Sequence, residues 1–194
     1  DLNPAHNSGI SIPSYDTFWK RFGQGKATTY GGATLPTGNG VYLINGNHIL
    51  NEVVTFPDNR QTLIFINGNF TVNAETRVPN SSAVTFIVNG SIRFGKKLNG
   101  GEGGEDEVGG IFIAKDEINT AYNITGPTEV TRKLLVKGAL ISLENTIYFN
   151  RNLGDEDNGT IPAETINLQP KHLLLLKSRL AKPTIFWREV AAGN

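Results

Sequence analysis

The chain contains no cysteine and no methionine, only 3 histidines in 194 residues, and no net charge. Without cysteine there is no disulfide scaffold and no thiolate metal site. The 18 basic residues cancel the 18 acidic ones, so no long-range field exists to hold a polyanion, and nucleic acid and anionic membrane are not expected partners. The longest strongly apolar run is the four leucines at 173–176, against the roughly 20 residues that cross a bilayer. No membrane insertion of this chain is expected. A start at Asp1 with no methionine anywhere is expected of a chain that has lost a secretory signal or been trimmed.

Glycine, by contrast, is abundant, at 22 residues, and asparagine is frequent, while charged residues make up only 19%. Both residue types tolerate φ > 0, which suits many tight turns between short strands rather than long helices. A chain of this length buries roughly 70% of its unfolded surface as one domain and needs no metal or disulfide for ordinary stability.

A repeat is visible. Tyr-Leu-Ile-Asn-Gly at 42–46, Ile-Phe-Ile-Asn-Gly at 64–68 and Phe-Ile-Val-Asn-Gly at 86–90 superpose at a step of 22 residues. Asn51 matches Asn73, Pro57 matches Pro79, and Asp58 matches Asn80 at the same step. A step of 26 then reaches Phe-Ile-Ala-Lys-Asp at 112–116, and another 22 reaches Leu-Leu-Val-Lys-Gly at 134–138. The four extra residues fall in the Gly/Glu stretch 99–110, expected to be looped out as a solvated, mobile insertion.

Each unit opens on an apolar run, turns at a polar-Gly pair and continues in alternation, which is strand patterning. Asn-Gly is also the strongest hairpin signal, so an antiparallel meander is the competing arrangement. A meander does not require equal steps with like residues at like phase, whereas a coil that returns to its start each turn does. The pattern therefore predicts an all-β fold, a right-handed parallel β-helix of about five rungs, with a short N-terminal helix and a C-terminal capping segment. It divides the single domain into an N-terminal extension (1–37), the β-helix repeats (38–154) and the capping segment (155–194).

Stacked rungs would form two adjacent apolar ladders: Leu43, Phe65, Ile87, Ile113 and Leu135, and beside it Ile44, Ile66, Val88, Ala114 and Val136. Neighbouring strand residues face opposite ways, so one ladder fills the coil and the other needs a cover. Residues 14–22 form the first candidate, a short helix with the stripe Tyr15, Phe18, Trp19 and Phe22. It would lie on the outer ladder or plug the open end. A second apolar group, Leu180, Ile185, Phe186 and Trp187, follows near the C-terminus, broken into short elements by Pro170 and Pro183.

Little chemistry is apparent. His6, His48 and His172 show no ligand spacing, and His48 shares the ladder phase of Phe70 and Ile92. No nucleophile elbow or P-loop is present. Asp155, Asp157, Asn158 and the later Glu164 offer oxygen ligands for calcium, but the loop glycine and last glutamate come early against the EF-hand spacing. The plain turn is the competing reading. Glycosidic-bond cleavage needs two carboxyl groups about 5–10 Å apart, and no ladder phase stacks two acids. The chain is thus not expected to be an enzyme or to carry a cofactor, calcium at that loop excepted.

Val-Tyr-Leu-Ile-Asn-Gly-Asn-His-Ile at 41–49 resembles the "Y-x-x-N-G-(N/D)-x-x-I" rungs of uncharacterised bacterial cell-surface β-helix proteins. Asn-Arg-Asn-Leu-Gly at 150–154, Pro-Ala-Glu at 162–164 and Trp-Arg-Glu-Val at 187–190 are similar to the closing segment of the same group. The resemblance implies a secreted or envelope-anchored β-helix with no assigned activity, sometimes encoded beside pilus-type genes. A looser similarity is to bactofilins, small β-helices that polymerise end to end. The long end pieces of this chain depart from that pattern. The expectation is a non-enzymatic, extracellular or cell-surface structural protein that self-associates into a filament or surface array. The alternative is an adhesin or glycan-binding module that contacts a glycan or another surface protein.

Overall fold

A computed structural model describes residues 13–102, 104–124, 126, 129–154 and 159–180. The chain forms a parallel β-solenoid of about five turns. A short helix, α1 (Tyr15–Phe18), runs into a π-helical turn, Trp19–Gly23, and β1 (Thr28–Thr29) leads into the coil. The first turn holds β2 (Gly40–Asn45), β3 (His48–Leu50) and β4 (Val54–Thr55). The second repeats it as β5 (Gln61–Asn67), β6 (Phe70–Ala74) and β7 (Thr76–Arg77). Then come β8 (Ala83–Val88) and β9 (Ile92–Asn99), β10 (Glu105–Ala114) and β11 (Ile118–Tyr122), β12 (Lys133–Ser142) and β13 (Ile147–Tyr148). The edge strand β14 (Glu164–Asn167) and helix α2 (Lys171–Leu180) close the described chain.

Every strand-to-strand pairing in the two sheets is parallel, which excludes the meander. One sheet runs β1-β2-β5-β8-β10-β12-β14, with β4 and β7 joined to it through β10. The other runs β13-β11-β9-β6-β3. The register reproduces the 22-residue step: Leu43 pairs with Phe65 and Phe65 with Ile87, while Ile87 pairs with Ile113 at the 26-residue step.

The coil interior is the ladder of Ile44, Ile66, Val88 and Ala114 together with Ile64, Phe86 and Phe112. An aromatic spine runs up it, with ring centroids 5.3 Å apart for Phe70–Phe86 and 4.9 Å for Phe86–Phe112. The other ladder faces outward and is covered, as a two-sided apolar strand demands. Tyr15 and Trp19 meet the Phe65 ring edge-on at 6.0 and 5.2 Å, and Phe22 is buried in the same cluster. The N-terminal helix is thus a lid on the outer ladder and does not plug the coil. Ser14 starts it, its hydroxyl accepting from the Thr17 N–H at 3.2 Å. The first turn is closed instead by β1 and by Leu35, which is buried in the interior cluster.

Asparagines recur at the corners for a reason that rung spacing supplies. An Asn side chain reaches across the roughly 4.8 Å between rungs to groups that the strand ladder leaves unpaired. Asn47 Oδ1 accepts from Asn69 N at 2.8 Å, and Asn69 Oδ1 from Ser91 N at 2.9 Å. Asn73 Nδ2 donates to Asn51 Oδ1, and Asn89 Nδ2 to Asn67 Oδ1. The glycines of the Asn-Gly pairs stack so tightly that a Cβ on Gly68 would lie 2.5 Å from the Gly46 carbonyl carbon.

Two expectations fail. The last rung does not follow the 22-residue step: Leu135 pairs with Glu107, and it is Ile141 that lies against Ile113, a step of 28. The reason is Gly138, which packs on Gly110 so closely that a Cβ there would sit 1.8 Å from the Gly110 oxygen. That contact aligns Val-x-Gly at 108–110 with Val-x-Gly at 136–138. Nor is the stretch 99–110 looped out, because Glu105 to Gly110 is strand and Asp106 is wholly buried. The net gain of four residues conceals two larger changes. Val108 lies 32 residues beyond its partner Thr76, but Ile111 only 26 beyond Thr85. Against a step of 22, ten residues enter before the third face and six leave after it. The corner loops 56–60 and 78–82 therefore have no fourth-turn counterpart; Gly109 and Gly110 make that bend alone.

Candidate functional site

On the corner that the added residues join lies a groove of about 500 Å3, lined by Thr55, Glu75, Arg77, Val78, Pro79, Gly100, Glu102, Glu105 and Glu107. Its centre is an ion pair. Arg77 donates to Glu75 Oε2 through Nε at 3.1 Å and Nη2 at 2.8 Å, and Nη2 also reaches the Gly100 carbonyl at 3.1 Å. The other oxygen of Glu75 accepts from the Glu107 N–H at 2.9 Å, so this buried carboxylate is fully used. The hydrogen bond and charge of Glu75, with more distant help from Glu102 and Glu107, hold the half-exposed Arg77 above the ordinary arginine range. On the outer flank Glu105 pairs with Lys133 at 3.1 Å and Glu107 with Lys137 at 2.6 Å. The result is a polar trough with fixed donors and acceptors.

Behind the groove lies a sealed ion pair. Arg151 and Asp106, both with wholly buried side chains, meet at 2.8 Å. Arg151 also donates to the carbonyls of Gly95, Lys96, Thr120 and Arg132 at 2.6–2.9 Å. One guanidinium thus ties together carbonyls of the third, fourth and fifth turns, using the planar donor fork that distinguishes arginine. Burial pushes the Asp106 carboxyl up and the Arg151 guanidinium down, and the contact between them opposes both shifts. No solvent or substrate reaches this pair, so its work is to hold the lengthened turns in place.

The calcium candidates fare unevenly. Asp155, Asp157 and Asn158 lie outside the described residues, as do Ile185, Phe186 and Trp187. Glu164 opens β14, and its Oε1 accepts from Thr120 Oγ1 at 2.7 Å and from Arg151 N at 2.8 Å. That oxygen serves the fold. Among the described residues no group of three or more His, Asp or Glu could hold a metal ion. His48 stands at the ladder phase expected of it, its ring 5.9 Å from that of Phe70. Burial lowers its pKa.

The expectation that no phase stacks two acids fails here, because Glu107 lies over Glu75 on the same face at a step of 32 residues instead of 22. Glu75 and Arg77 occupy the phases of Val53 and Thr55, and that replacement of neutral residues by a charged pair was the readable signal. The arrival of Glu107 beside Glu75 depends on the ten-residue gain and was not readable. Neither a protein-family model, nor a curated protein, nor a solved structure matches the chain. Fold and site together define its class: a β-solenoid with a charged groove on one corner.

Proposed function

We propose that the protein is a non-enzymatic structural component of the cell exterior that self-associates into a filament or surface array. The observation that supports this reading is the way the five-stranded sheet ends. Among the described residues β3 at one end and β13 at the other are edge strands, and an unpaired edge is a template for another chain. The inward phase runs His48, Phe70, Ile92, Ile118, Ile147, and the outward phase runs Ile49, Thr71, Arg93, Asn119, Tyr148. A second copy stacked in parallel would continue both. Ile49 at one edge and Tyr148 and Phe149 at the other are exposed and apolar. Unlike surfaces meeting in this way give open assemblies. Sedimentation and electron microscopy across a concentration series test it: fibres or sheets that weaken with Ile49→Lys or Tyr148→Lys are expected. Monodisperse particles at high concentration reject it.

The groove favours a second reading, an adhesin or glycan-binding module. Arg77 with its neighbouring carboxylates offers the mixed donors and acceptors that a polyhydroxylated ligand uses. A glycan array read with the native chain and with Arg77→Ala tests it. Binding lost with the substitution supports it, and an empty array counts against it.

A further inference from the structure

The six residues missing from the fourth-turn corner leave the third-turn corner, residues 78–84, without a strand or loop above it. Continuing the β8–β10 register back one step would aim the Val84 N–H at the Gly109 carbonyl. That carbonyl instead accepts from Thr76 Oγ1 at 3.0 Å. Helix α2 fills the vacancy. Its first residue, Lys171, donates through Nζ to the carbonyls of Val78 and Pro79, both at 2.9 Å. Its second, His172, accepts from the Val84 N–H at Nδ1, at 3.3 Å, with its side chain wholly buried. Val78 and Pro79 are also a wall of the charged groove.

We propose that α2 is a proton-sensitive latch: with His172 neutral the helix closes the 78–84 corner, and on protonation of His172 it lifts and uncovers that corner and the adjoining groove wall. An imidazole nitrogen that accepts from a backbone N–H is unprotonated, so the ring is the neutral Nε2–H form. A proton on Nδ1 sets one donor against another and places a charge in a buried site. Nε2 is buried as well, with no hydrogen bond of ordinary length. The charged groups around the ring are few. Lys171 on the same helix repels a second positive charge, and burial acts in the same direction more strongly. The backbone carbonyl of Lys137 opposes them. Lys171 in turn faces Lys137 of β12 and Glu107 of β10. β5 and β8, the strands under the helix, contain no charged residue. Together these hold the His172 pKa at about 4, down from 6.5. The docked helix thus binds fewer protons than the released one. Docking is at full strength above pH 6.5 and weakens as pH falls toward 4, by about a hundredfold.

Amide exchange protection factors at pH 7, 6, 5 and 4 test the latch. Protection of the Val84 amide and of α2 is expected to fall together over that range while β10 and β12 stay protected. In His172→Asn, whose Oδ1 accepts from Val84 N without titrating, that fall disappears. A variant that keeps the wild-type pH profile overturns the proposal. Loss of α2 protection only in step with the whole solenoid also overturns it. Should the variant fail to dock at any pH, the His172 ring resonances of the native chain decide. A midpoint well below 6.5 upholds the latch, and one at 6.5 overturns it.

Discussion

The first three turns and the last two reach the same cross-section by different means. The early turns keep a 22-residue step and are held by repeated like contacts: phenylalanine beside phenylalanine inside, asparagine to asparagine at the corners. The later turns step by 32 or 26 residues and then by 28, and replace those ladders with a glycine-on-glycine bend, a buried arginine and a borrowed helix. Repetition stabilises through many small equal contacts. Irregularity concentrates the same task in a few residues, each with no substitute.

Substitution experiments sharpen that contrast. Arg151→Ala removes the close partner of buried Asp106 and leaves it only Arg132 at 3.5 Å, and is expected to cost about 3–5 kcal/mol in denaturant unfolding. Replacing both partners by apolar residues, Arg151→Met with Asp106→Leu, is expected to recover most of that loss. A single mutant as stable as the native chain would show the late turns to be held by something else. Phe86→Ala, in the regular half, is expected to cost a comparable 3–5 kcal/mol by opening a cavity in the spine. No second substitution of this ion-pair kind would repair it. Gly138→Ala forces a methyl into the Gly110 carbonyl and is expected to cost about 1–3 kcal/mol or more. Circular dichroism melting would register it, and an unchanged melting temperature would remove the glycine contact as the cause of the 28-residue step. Asn69→Ala removes one rung-to-rung hydrogen bond and is expected to cost only about 1 kcal/mol. Its small effect on unfolding is the signature of a load spread over many equal contacts.

The proportion of the fold that the sequence revealed follows the same divide. Where the step is constant, stacked positions share one environment, so the two ladders from Leu43 and Ile44 could be traced through three turns and, across a single step of 26, into a fourth. His48 could be placed in its ladder with them. At the fifth turn the pattern Leu-Leu-Val-Lys-Gly looked like a rung opening, yet it pairs with Asp106 to Gly110. Apolar runs are interchangeable by composition, and the backbone approach of Gly138 to Gly110 selects between them. The acidic stretch around Glu105 looked solvated because charge usually is. The partner that buries Asp106 lies 45 residues away.

By itself, the sequence determined that this chain coils, how long its regular turn is, and which residues face inward through most of it. Stacking demands like shapes at like phase, and that demand is written locally. Only the tertiary structure decided where the turns lengthen, what lies over the missing corner, and which charges meet in the groove. A gain of ten residues and a loss of six sum to a modest four along the chain. Their separate positions emerge only when the turns are stacked in space.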